Sequence, residues 1–301
     1  EKFRRRVQLL LQCLPFVAAE DCFALKGGTA INLFVHDYPR LSVDIDLTYL
    51  PIQPRPESLR HISEAMGRIA ERISEGLPDV TVTETRLPNR DMLTRLLVRT
   101  GETQIKIEVT PVLRGCVFEA ETRPVSPAVE DAFGFAEIQV VSLADLYAGK
   151  FVAALDRQHP RDLFDVGEFF LTHEIDKKLR RAFIVYMISH NRPMAEVIRP
   201  TLKDISGEFE RGFVGMTTVP VALDDLLEAR DRLISILIDD MPEEHREFLV
   251  TFEEGTPKWP LLGLPDAAKL PAVRWRQINL DKLDADHRAA LVKKLKKALW
   301  P

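Results

Sequence analysis

The hydrophobic period of this 301-residue chain changes once, near residue 140, and that change limits what it can fold into. Before it, segments that alternate apolar and polar residues are interleaved with amphipathic helical ones. After it, apolar residues recur almost only at helical spacing. A strand period and a helix period place side chains on different faces and are not interchangeable. The expected fold is α+β: a small mixed-sheet domain over 1–140, followed by an α-helical domain over 141–301.

Residues 22–26 are expected as a short buried strand broken by Gly27-Gly28, with a short helix over 29–35 that exits through 36–39. Residues 43–49 alternate as a half-buried strand does. A helix over 58–74 collects Ile62, Met66, Ile69, Ala70 and Ile73 on one face. Further strands are expected at 80–85, 94–100, 104–110 and 138–141, the turn at 100–103 making a hairpin of the middle two. Ser142-Leu-Ala-Asp145 has the form of a capping box with Asp in place of Glu, and opens a helix to about residue 158. Helices then follow at 160–173, 176–189, 193–205, 222–239, 243–252 and 281–298.

Composition narrows the function classes. With 41 basic against 46 acidic residues, the net charge of −5 excludes a globally basic nucleic-acid coat. The three cysteines, Cys13, Cys22 and Cys116, have neither CxxC spacing nor an even count, which argues against a disulfide framework or a cysteine zinc site. No apolar run approaches the ~18 residues of a membrane span. The first residues carry no initiator Met and no secretory cleavage pattern, and the chain is expected to be cytoplasmic with no membrane partner.

The chemistry concentrates at Asp44 and Asp46. On a strand, residues i and i+2 share a face, so both carboxylates project together while Ile45 and Leu47 face the core. Two such charges repel unless a cation sits between them, and Mg²⁺ is usually held by one or two carboxylates plus substrate phosphates. On the strand at 104–110, Glu108 shares the open face with Lys106 and Thr110 and supplies a third carboxylate. The Gly27-Gly28 turn can present backbone N–H groups to a phosphate. Each piece alone fits a solvated strand face or a simple turn. Their order gives them weight: Gly-Gly, a helical turn, D-x-D, then a strand carboxylate.

That order resembles the nucleotidyltransferase superfamily related to DNA polymerase beta. The longer pattern is narrower. Leu25-Lys-Gly-Gly-Thr-Ala-Ile-Asn-Leu33, then Arg40-x-Ser42-x-Asp44-Ile-Asp46-Leu47, and later Lys150, Arg157 and Arg161-Asp162-Leu-Phe-Asp165, is similar to the AbiEii/AbiGii toxin family. The superfamily commonly has Gly-Ser at its first motif; Gly27-Gly28-Thr29 follows the toxin family's usage. The resemblance implies a nucleotidyltransferase domain over 1–140 that moves NMP from an NTP to the 3′ acceptor end of tRNA. It also implies a cognate antitoxin encoded nearby, Mg²⁺ or Mn²⁺ as the metal, and NTP as substrate. Asp44, Asp46 and Glu108 would be metal ligands and catalytic residues. Gly27, Gly28, Thr29 and Ser42 would bind the nucleotide, Lys150 would contact the triphosphate, and Asp162 or Asp165 would be the essential later aspartate, with Asp156 a third option. Arg157 and Arg161 would bind phosphate or pair with those carboxylates. Transfer to a protein or to a small molecule such as an aminoglycoside, and a catalytically silent binding module, stand as alternatives.

Residues 269–301 hold nine basic side chains against three acidic, a surplus of six that leaves −11 for the rest. This asymmetry fits a phosphate-backbone footprint, and equally a helix end rich in lysine. Arg4, Arg5 and Arg6 would extend such a patch if they lay beside it. Trp259, Trp275 and Trp300 are expected to be packing anchors.

Overall fold

The computed structural model describes residues 2–87 and 92–301, which divide into two compact units, Glu1–Ser142 and Leu143–Pro301. The first begins with helix α1 (Lys2–Ala18), then strand β1 (Phe23–Lys26) and α2 (Gly27–Ala30), which widens into a π-turn over Ile31–Val35. Strand β2 (Asp44–Tyr49), α3 (Arg55–Gly76), β3 (Thr81–Leu87), β4 (Met92–Thr100) and β5 (Thr103–Val109) follow. The unit closes with β6 (Glu121–Pro124), α4 (Pro127–Phe133) and β7 (Glu137–Val140).

The strands make one seven-stranded mixed sheet in the order β3-β4-β5-β2-β1-β7-β6. The β4–β5 hairpin is present, and β5 then returns to pair in parallel with β2. Every second residue of β5, Thr103, Ile105, Ile107 and Val109, is buried, as are Ile45 and Leu47 of β2. Beneath them pack Leu10, Leu14 and Val17 of α1 and Ile62, Met66, Ile69 and Ile73 of α3, all fully buried. Burying such a side chain contributes ~1.5–3 kcal/mol relative to leaving it in water. A one-residue slip of β2 would drive Asp44 and Asp46 into this core, so the register that places the carboxylates is strongly held.

In the second unit the helices are α5 (Leu143–Arg157), α6 (Pro160–Thr172), α7 (Lys177–Ile188), α8 (Met194–Ile198), α9 (Ser206–Gly212) and α10 (Leu223–Ile234), the last widening into a π-turn over Ser235–Asp239. They continue with α11 (Glu243–Glu253), α12 (Trp259–Leu262), α13 (Pro271–Asp281) and α14 (Ala285–Leu299). The core joins α5, α6 and α7 through Tyr147, Phe151, Phe169 and Phe183, the Tyr147 and Phe169 rings 4.5 Å apart. Among the described residues no helix is long and apolar enough to cross a membrane.

Several expected elements differ in extent. The short helix starts at Gly27, not Thr29. The helix expected over 193–205 stops at Ile198, because Pro200 restricts the residue before it and cannot continue the turn. The last expected helix, 281–298, is α14, which starts at Ala285, where Asp284 caps it by accepting from the His287 N–H at 2.8 Å; α13, over Pro271–Asp281, was not expected. Trp275 and Trp300 are not packing anchors; they are 57% and 42% exposed. Trp259 does pack, its ring 5.1 Å from Phe248. Within the first unit, the Arg4 guanidinium donates to the Ala132 carbonyl at 3.1 Å and lies over the Phe133 ring.

Candidate active site

The sheet brings the first set of residues together. In the parallel β2–β5 pair, Asp44 is in register with Lys106 and Asp46 with Glu108, so the four form a two-by-two tile on the face turned away from α1 and α3. Asp44 is half exposed, and Lys106 and Glu108 are about equally covered. Lys106 Nζ lies 2.9 Å from Glu108 Oε2 and 3.7 Å from Asp44 Oδ2. Arg95, opposite Glu108 on β4, donates to Glu108 Oε1 at 2.7 Å. Lys26, opposite Asp46 on β1, donates to the Thr110 hydroxyl at 3.2 Å.

These neighbours set the ionisation of the tile. Burial pushes the Asp46 carboxyl above its ordinary range, against the pull of Lys106 and Lys26 and with the repulsion of Asp44 and Glu108. Burial also works against Glu108, but the bonds from Arg95 and Lys106 outweigh it and hold that carboxyl low. For Lys26, burial dominates and lowers the ammonium's pKa despite the carboxylates beside it.

The glycine turn is fitted to this tile. Gly27 has φ +76°, and a Cβ there would stand 2.9 Å from Asp46 Oδ2, so both conformation and space require glycine. At Gly28 a Cβ would meet Arg40 Nη2 and Ser42 Oγ, each at 2.7 Å. Thr29 donates its hydroxyl to the Asp44 carbonyl at 2.6 Å and shares a hydrogen bond of 3.2 Å with Ser42. Asn32 donates to the Gly28 carbonyl at 2.8 Å and accepts from the Arg40 N–H at 3.3 Å, fixing the turn from behind. Gly27, Gly28, Thr29, Ser42, Asp44, Asp46 and Glu108 thus stand together.

Asp44 and Asp46 supply hard oxygen donors on one face, the donor set that suits Mg²⁺ carried in with substrate phosphates. Both Glu108 oxygens are engaged by cations, and among the described residues no three His, Cys, Asp or Glu side chains converge as a closed metal cage. Asp44 and Asp46 fit a seat that substrate phosphates would complete, with Glu108 beside Asp46 as the third carboxylate.

The second set forms its own cluster among the helices. Lys150 does not reach solvent: its side chain is 9% exposed, with Nζ 2.9 Å from Asp162 Oδ1 and 2.8 Å from Asp165 Oδ2. Arg157 donates to Asp162 Oδ2 at 2.8 Å. Burial opposes the Asp162 charge, but Lys150 and Arg157 prevail and hold its carboxyl below the usual range. Arg161 stands exposed, its backbone N–H bonded to His159 Nδ1 at 3.1 Å. Asp156 lies outside the cluster, paired with Arg192 and facing His190 at 3.6 Å.

Arg95, Lys26, Asn32 and Arg40 were not foreseen as site residues. The signal available for three of them was position: Lys26, Asn32 and Arg40 fall inside or beside the Gly-Gly and D-x-D segments. Arg95 reaches the site only through the β4–β5 register, which no local motif announces.

The family model of the nucleotidyl transferase AbiEii toxin of type IV toxin–antitoxin systems matches residues 8–276. Among solved structures, the chain is similar to MenT4, the nucleotidyltransferase toxin Rv2826c from Mycobacterium tuberculosis H37Rv, with TM-score 0.60 and 17% identity over 97% of this chain and 92% of that one. Terminal uridylyl transferase 4 from Trypanosoma brucei, with bound dUTP, aligns over 98% of this chain and 92% of its own at TM-score 0.31 and 12% identity, too distant to bear on the fold. No curated protein sequence matches.

Proposed function

Because the chain belongs to the family of AbiEii nucleotidyl transferase toxins of type IV toxin–antitoxin systems, we propose that it transfers the NMP of an NTP to the 3′ acceptor end of tRNA in the cytoplasm, blocking aminoacylation. The family implies an antitoxin partner. The observation that carries the reading is the pair Asp44 and Asp46 on the open strand face, with Gly27 closed against Asp46. Asp44 and Asp46 would hold Mg²⁺, or Mn²⁺ in its place, which when bound polarises the phosphoryl oxygen and eases loss of the acceptor proton.

The chain's own residues do the positioning. Thr29 and Ser42 tie the glycine turn to the Asp44 backbone, so the phosphates and the carboxylates share one rigid reference. Glu108 keeps Arg95 and Lys106 beside the pair, as cations able to meet the triphosphate. Arg157 and Arg161 remain solvent-facing and suited to phosphate; Lys150, held between Asp162 and Asp165 where α5 meets α6, would contact the triphosphate, with one of those two aspartates the essential later one.

An RNA acceptor is supported by α13 and α14. Lys293, Lys294, Lys296 and Lys297 are exposed along α14, opposite buried Val292, Leu295 and Leu299. On α13 the Trp275 ring is exposed with Lys282 Nζ 5.9 Å from its centre, an aromatic-and-cation pairing that suits a base and its phosphate.

The test is to incubate the protein and Mg²⁺ with each labelled NTP and total bacterial tRNA, beside Asp44→Ala. Label entering tRNA with the wild type alone is the expected result. Label entering protein instead would replace tRNA by a protein target, and no label with any NTP would contradict the reading.

A further inference from the structure

The carboxylates of the tile on β2 and β5 have cationic neighbours on three strands. Asp44, Asp46 and Glu108 face three cations, Lys26, Arg95 and Lys106. Their positions differ in one respect. Arg95 bonds only Glu108 within the tile, and Lys26 sits behind it with its ammonium on Thr110. Lys106 alone, among the described ion pairs of this site, bridges the two strands, reaching Glu108 at 2.9 Å and Asp44 at 3.7 Å. It is also 30% exposed on a flexible four-carbon stem, so it can leave. Its ammonium is where a positive charge between Asp44 and Glu108 belongs.

We propose that Lys106 is a resident counter-cation that keeps divalent metal out of the nucleotide-free site, swinging from the carboxylates to the phosphates when a metal–NTP complex arrives. Asp44 and Asp46 then bind metal well only when a triphosphate takes up the released ammonium. The site thereby couples metal binding to nucleotide binding. Lys106 would thus touch the substrate itself, and its role rests on the function proposed above.

The experiment measures Mn²⁺ binding to the full-length, nucleotide-free protein by electron paramagnetic resonance. Removing one positive charge at 3–4 Å from the seat is expected to tighten Mn²⁺ binding about tenfold in Lys106→Met and in Lys106→Gln, while Lys106→Arg stays weak. Adding Asp44→Asn to Lys106→Met should abolish the gain. Unchanged or weaker Mn²⁺ binding in both Lys106→Met and Lys106→Gln would overturn the proposal, because a purely structural clamp loosens the carboxylates when removed. Transfer of label from NTP by the same wild-type preparation separates the two readings. If transfer occurs but the Lys106 variants do not gain Mn²⁺ affinity, the counter-cation role fails alone; if no transfer occurs, the proposed function fails whatever Mn²⁺ does.

Discussion

Glu108 on the sheet and Asp162 among the helices are each met by one lysine and one arginine, Lys106 with Arg95 and Lys150 with Arg157. The settings differ in water. Asp44 beside the first group is 50% exposed, whereas Lys150, Asp162 and Asp165 are 9%, 6% and 1% exposed. A half-wet ion pair is worth little and exchanges partners readily. A buried one is closed, and removing either member strands a charge in the protein. The same residue types thus build a solvent-open group in one unit and a closed fastening between α5 and α6 in the other.

The largest expected effect tests the fastening. Lys150→Met leaves Asp162 and Asp165 buried without their shared cation, and should cost about 3–5 kcal/mol in denaturant unfolding. Lys106→Met should cost no more than ~1 kcal/mol by the same measurement; equal losses would erase the contrast. Next comes Gly27→Ala, which forces a side chain to φ +76° against Asp46. It should lower stability by ~1–3 kcal/mol and depress transfer with it.

A subtler test is acid unfolding. The Asp162 carboxyl is held below its unfolded value, so its contribution is fully present above the unfolded pKa and is lost as pH falls through the folded one. Asp162→Asn should therefore flatten the acid limb of the stability–pH profile; an unaltered limb would show that the pair carries no linkage. The smallest stability change belongs to Trp275→Ala, within about ±0.5 kcal/mol because the ring is exposed. If Trp275 stacks a base, the same variant loses about 1–3 kcal/mol of RNA affinity, read by titration.

The carboxylate half of this contrast was legible in the sequence. Strand alternation at 43–49 and at 104–110 was enough to place Asp44 with Asp46, and Glu108, on the open faces of their own strands, because a period of two leaves no choice once one face is buried. The partners of Glu108 were not legible. Arg95 and Lys106 acquire their roles from pairings between strands that are not all neighbours in the chain, and β2 meets β5 across more than fifty residues. The partners of Lys150 were equally hidden until α6 brought two aspartates to it. Elements with weak local signals were missed for related reasons. Helix α1 carries Pro15 inside it, and β6 is a four-residue polar edge whose pairing with β7 alone defines it.

The most direct test of the division of labour compares Asp46→Asn and Asp165→Asn by transfer of labelled nucleotide and by thermal unfolding on the same preparations. Asp46→Asn should abolish transfer while unfolding near the wild-type temperature, and Asp165→Asn should lower the unfolding temperature markedly. Transfer retained by a folded Asp46→Asn protein would contradict the assignment of the strand-face carboxylates as the catalytic seat.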